Sequence, residues 1–181
     1  MEKYPAIIDW CPFASVRDRL ITLHAANPRI DEIICNMATS YVVEADLCDL
    51  VQTNGHALRC YVRVWDIIQF MDRKVSDEQH TALPKERLPA PTAASLFTKS
   101  YATQVFQKLH MDEGITFYKL DPAFFIQYPE LLGDDHGIIG QGTAILPDIQ
   151  TTLPGPSELD ERMTTTYRHF TCWSIDVLSQ S

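Results

Sequence analysis

Ala57-Leu58-Arg59-Cys60-Tyr61-Val62-Arg63-Val64-Trp65-Asp66-Ile67-Ile68-Gln69-Phe70-Met71 can be read in two ways, and the choice decides the fold. Leu58, Tyr61, Val62, Trp65, Ile68 and Met71 recur at helical spacing, whereas Cys60 to Trp65 is β-branched and aromatic enough to start as a strand. The 3.6-residue period persists over the whole stretch and predicts a helix. Upstream, Asp31 is an N-cap candidate for a second long helix through Ile34, Met37, Tyr41, Ala45 and Cys48, closed by Thr53-Asn54-Gly55. Ser15 to Ala26 carries Val16, Leu20, Leu23 and Ala26 on one stripe and is stopped by Asn27-Pro28, because proline restricts its predecessor and lacks an amide.

Downstream, Pro84, Pro89 and Pro91 stand among charges and make 76–92 an irregular loop. Thr92 then caps a helix through Phe97, Tyr101, Val105 and Leu109, with His110 at its negative dipole end and Gly114 just beyond. Asp121-Pro122 pairs a capping carboxylate with a proline at the first helical position, and Pro129 limits that helix to about two turns. Gly133 to Gly142 and 146–156 read as loops. Ser157-Glu158-Leu159-Asp160 opens a C-terminal helix with Leu159, Met163, Thr166, Phe170, Trp173 and Val177 on its inner stripe. The expected fold is all-α, an irregular bundle of five to six helices forming a single domain over 1–181.

The chain has 181 residues, 45% of them hydrophobic, with 15 basic against 24 acidic side chains and a formal net charge of -9. Such a composition folds, and a surface that negative, with no basic cluster beyond Arg73-Lys74, repels phosphate backbones. Direct nucleic-acid binding is therefore not expected. Five irregularly spaced cysteines point to a reducing compartment, the N-terminus lacks a signal-peptide pattern, and no run approaches the roughly 18 apolar residues of a membrane span. A cytoplasmic or nuclear protein, neither secreted nor membrane-bound, is the expectation.

Two segments go beyond generic pattern: Ile8-Asp9-Trp10-Cys11-Pro12-Phe13-Ala14-Ser15-Val16-Arg17-Asp18, and Lys119-Leu120-Asp121-Pro122-Ala123-Phe124-Phe125-Ile126-Gln127-Tyr128-Pro129-Glu130-Leu131. Together they resemble the domain of unknown function that follows the basic leucine zipper in many filamentous-fungal transcription regulators. The spacing between them extends the resemblance over most of the chain. Met1 stands a few residues before the first motif, leaving no room for a basic region or zipper, so a stand-alone role is expected. The resemblance carries no catalytic residues.

Metal patterns are missing: there is no Cys-x-x-Cys or His-Glu-x-x-His, and no metal or other cofactor is called for. Asn36, Ser40 and Glu44, at i, i+4 and i+8, resemble the second metal motif of class I terpene cyclases, but the adjacent aspartates, Asp134-Asp135, lie in a glycine-flanked loop. A solvated polar helix flank is the better account of the triplet. Asp134-Asp135-His136 could hold an acid or base, since neighbouring carboxylates shift one another and a histidine, or could be a plain turn. His24 beside the first stripe and Asp66 after Trp65 fall at the edge of an apolar interior, where a satisfied core histidine is the blander account. The catalytic candidates are thus Glu44, Asp66, His24 and His136. Tyr41, Tyr61, Trp65, Tyr101, Phe170 and Trp173 fall on inward stripes of four helices, which suits a core or a site for an apolar ring compound; Tyr41, Trp65, Tyr101 and Trp173 are the substrate-binding candidates.

The reading with most reach is a cofactor-independent enzyme of fungal specialised metabolism, a cyclase or isomerase acting on an apolar or aromatic small molecule. The competing class is a non-catalytic domain that senses a metabolite or binds a partner protein in transcriptional regulation. The lengths of the fourth and last helices also permit a homodimer.

Overall fold

The computed structural model describes residues 4–53, 57–72, 87–113 and 115–147. The chain divides into two units, Met1–Asp148 and Ile149–Ser181, and every described residue lies in the first. That unit overturns the all-α expectation: it holds six α-helices and a four-stranded mixed sheet, an α/β arrangement. In order these are α1 (Ala14–His24), α2 (Ile30–Thr39), β1 (Tyr41–Asp46), α3 (Leu47–Leu50), β2 (Arg59–Arg63), α4 (Val64–Asp72), α5 (Lys99–Lys108), β3 (Lys119–Leu120), α6 (Pro122–Gln127) and β4 (Thr143–Ile145), with 3-10 turns between them.

The expected second helix stops halfway, at two residues whose hydroxyls turn back on it. Thr39 Oγ1 donates to the carbonyls of Cys35 and Asn36, and Ser40 Oγ donates to Asn36 O at 2.6 Å. Such bonds compete with the helical ladder, and the chain leaves α2 as β1. The third expected helix is likewise two elements, β2 followed directly by α4. The fourth is a 3-10 turn, Ala94–Phe97, and then α5, divided at Thr98, whose backbone is extended. α1 and the short α6 form where the sequence predicts them, and Asp121 caps α6 by accepting from Ala123 N at 2.8 Å. The C-terminal helix with Phe170 and Trp173 lies outside the described residues.

β1 pairs antiparallel with β2, Val43 opposite Val62 and Glu44 opposite Tyr61; β3 flanks β1 antiparallel, and β4 flanks β2 in parallel. Alternation along the strands sends Val43, Cys60 and Val62 to one face, against Ile67 of α4 and Tyr101, Ala102 and Val105 of α5. A second core gathers Val16 and Leu20 of α1, Ile33, Ile34 and Met37 of α2, and Phe124 and Phe125 of α6. Phe13 and Tyr41 pack against both.

The other face of the sheet is closed by residues 139–145. Ile139 bridges to Leu120 of β3, and four residues later Thr143 pairs with Cys60 of β2. A flat sheet would place those positions about 19 Å apart, four strand spacings, whereas four residues reach about 14 Å. The sheet is therefore rolled, with Val42 and Tyr61 on its inner side. Gly140 sits against them: a Cβ there would lie 2.7 Å from Val42 Cγ2. The run Gly133 to Gly142, read as a loop, thus ends in the piece that joins both edges of the sheet.

Candidate functional site

β3 has only two residues, so from Val43 onward the outer edge of β1 has no strand beside it among the described residues. A cleft of about 900 Å³ opens there. Phe13, just before α1, and Phe117 and Tyr118, around the 3-10 turn Ile115–Phe117, supply apolar surface. Polar groups arrive from Glu44 of β1, Lys119 of β3, His110 and Glu113 beyond α5, and Asp135. Beneath them the Tyr41 ring lies 6.0 Å from Phe13 and 5.7 Å from Tyr118, centre to centre.

Glu44 is fixed from two sides: Lys119 Nζ donates to its Oε1 at 2.8 Å and Gln141 N to the same oxygen at 2.7 Å. Burial alone would raise this carboxyl, but those bonds outweigh it and hold the group below the ordinary carboxylate range. Glu44 is therefore a permanent anion, suited to orienting a ligand and unsuited to donating a proton. Tyr118 is pushed the opposite way, up to about 12, by burial and then by Asp112, and its hydroxyl donates to the Met111 carbonyl.

At the C-terminal end of α5, Met111 N donates to Phe106 O at 3.1 Å and His110 N to Gln107 O at 3.2 Å. This pair of bonds normally places glycine in the left-handed region. Here the residue is His110, at φ 51°. Its Nδ1 lies 2.8 Å from Glu113 Oε1.

The four catalytic candidates do not converge, and among the described residues no hydrogen bond or ion pair joins any two of them. Glu44 lines the cleft. His136 does not, although its neighbours Asp135 and Gly137 do. His24 ends α1, with Nε2 3.1 Å from Glu130 Oε1 and Nδ1 3.0 Å from Asn27 Nδ2. Asp66 is buried at the start of α4. Of the aromatic candidates, Tyr41 underlies the cleft, Tyr101 is buried in the core, Trp65 is half-buried on α4, and Trp173 lies outside the described residues. The expectation missed His110, Glu113, Lys119 and Phe117; its one available signal was the i,i+3 spacing of His110 and Glu113.

Asp66 belongs to a separate buried charge cluster. Arg63 Nε donates to Asp121 Oδ2 at 2.7 Å, while Asp66 Oδ2 is buried without a partner among the described residues. Burial raises the Asp66 carboxyl, Arg63 opposes this, and Asp121 adds to it. The folded chain thus holds the Asp66 proton more tightly than the unfolded chain. Its stability contribution is fully present below the ordinary carboxylate pKa and is lost as pH rises through the raised one. Asp66→Asn is expected to gain about 1–2 kcal/mol near neutral pH, a gain that vanishes towards about pH 4. Thermal melts of both proteins across that range check this, and a gain independent of pH would refute it.

Among the described residues there is no cluster of three or more His, Cys, Asp or Glu able to hold a metal, and no helix long and apolar enough to cross a membrane. The four described cysteines are free thiols; burial raises those of Cys11 and Cys60 to about 11. No family model, curated protein or solved structure matches the chain.

Proposed function

We propose that this chain binds an apolar, ring-bearing small molecule in the cleft beside β1 and acts on it without a cofactor. One observation carries the reading: exposed aromatic surface and titratable groups line the same cleft, whose volume is within the usual range for small-molecule sites. Cyclisation, isomerisation and rearrangement suit such a site because none needs a co-reactant, and acid–base groups with correct positioning supply the rate. A second reading, a partner-protein module, draws on the open outer edge of β1, which could take an added strand.

Anilinonaphthalene sulfonate, an aromatic anion that fluoresces on leaving water, tests the first reading. Phe117 is 58% exposed, so Phe117→Ala should leave the fold intact. The variant is expected to bind the dye about tenfold more weakly, the equivalent of about 1.4 kcal/mol for partial burial of one ring. Unchanged affinity would show that the cleft is not the binding site.

A further inference from the structure

We propose that His110, backed by Glu113, is the proton-accepting group of this cleft, acting on an apolar ring compound that bears an acidic C–H or O–H. The proposal deepens the cleft reading and rests on it. With Nδ1 of His110 against the Glu113 carboxylate, Nε2 is the ring nitrogen left for a ligand. Glu113 fixes the ring's orientation and balances the imidazolium formed when Nε2 takes a proton, the division of labour seen wherever a carboxylate supports a catalytic imidazole.

Two features of one turn point to this pair and away from the earlier candidates. The first is the backbone. A left-handed residue closing a helix in this way is ordinarily glycine, and histidine there costs more, so the position holds an imidazole against the local conformational preference. Strain of that kind collects at functional sites. The second is how firmly the turn is tied: the helix-closing bonds fix 106–111, Glu113 N donates to His110 O at 3.1 Å, and the buried Tyr118 hydroxyl holds the Met111 carbonyl. The imidazole and carboxylate, both more than half exposed, are therefore presented by a tied turn on the rim of a cleft with mixed apolar and polar lining. Glu44 is the weaker base of the two, because Lys119 and Gln141 both donate to its Oε1 and stabilise the charged form.

Nitrobenzisoxazole is a suitable probe because its ring opening needs only a base. The base takes the ring C–H proton, the C–H electron pair completes a nitrile, and the N–O bond breaks with its electrons left on a phenolate oxygen. The intact chain is expected to open the probe at least tenfold faster than imidazole at the same concentration. His110→Gly should abolish that excess while its melting temperature stays equal or rises. Glu113→Gln should lower kcat about tenfold with KM held, a split that a purely structural partner would not give.

If His110→Gly keeps the rate, or if the intact chain binds the dye yet opens the probe no faster than imidazole, the proton-acceptor role is overturned and the cleft reading stands. If the dye binds equally well to Phe117→Ala, the cleft reading falls and this role with it.

Discussion

Asp121→Ala is expected to cost about 4–6 kcal/mol. Asp121 serves two elements at once. Its Oδ1 accepts from Ala123 N to cap α6, and its Oδ2 accepts from Arg63 Nε. Losing the cap costs about 1 kcal/mol. Removing the carboxylate from a pair in which Asp121 is 3% exposed leaves a largely buried guanidinium uncompensated, and breaking such pairs costs about 3–5 kcal/mol. Asp121→Asn keeps an N-cap acceptor and should recover about 1 kcal/mol of the loss. Urea denaturation of the three proteins separates the contributions. The neighbouring Asp66 is the one way out: if Arg63 turned to its unpartnered oxygen, the loss for Asp121→Ala would fall to about 1 kcal/mol, that of the cap alone, and the Arg63–Asp121 pair would not be the main fastening of this region.

Gly142→Ala is expected to be nearly as damaging, at about 3 kcal/mol or more. Gly142 has φ 102°, a backbone that L side chains rarely adopt, and a Cβ would run into the Arg59 carbonyl. Neither atom can yield, since Arg59 and Cys60 belong to β2 and Thr143 begins β4. Gly140→Ala is expected to cost less, about 1–3 kcal/mol, because it meets the Val42 methyl in a filled interior at an ordinary backbone angle. Melting temperatures in the order wild type, Gly140→Ala, Gly142→Ala would agree with the rolled sheet; a harmless Gly142→Ala would contradict it.

Local signals were legible where a residue's role is settled by its near neighbours in sequence. Asp121-Pro122 opened a helix as its chemistry requires, and Asn27-Pro28 marked the end of α1 to within about two residues. The strands were not legible, because their burial hides them. Val42 and Val43 are both buried, as are Cys60, Tyr61 and Val62, so neither strand shows the alternation of a half-exposed strand. A continuous apolar run reads as helix as easily as strand, and the helices flanking each strand completed a false 3.6-residue period. What separates the two outcomes is tertiary: β2 is covered by α4 and α5 on one face and by Gly140 on the other. The hydroxyl pair Thr39-Ser40 was the local clue to the end of α2.

The site was less legible than the fold. Glu44 was found, but on the wrong kind of element, and Lys119, which sets its charge state, lies 75 positions away. His110 was read only as a helix end, because nothing in the sequence marks a left-handed histidine while Gly114 stands four residues later.

The joining of residues 139–145 to both margins of the sheet has a bearing on biosynthesis. β1 and β2 leave the ribosome well before β4 and can pair as a hairpin, yet the parallel partner of Cys60 is Thr143, translated more than eighty codons later. Until then the nascent hairpin stands with unsatisfied amides along its flanks, an adhesive template for other chains. Contacts this distant along the polypeptide form slowly, so overproduction in a rapidly translating host should yield inclusion bodies, and slower synthesis at low temperature should shift the product towards native protein.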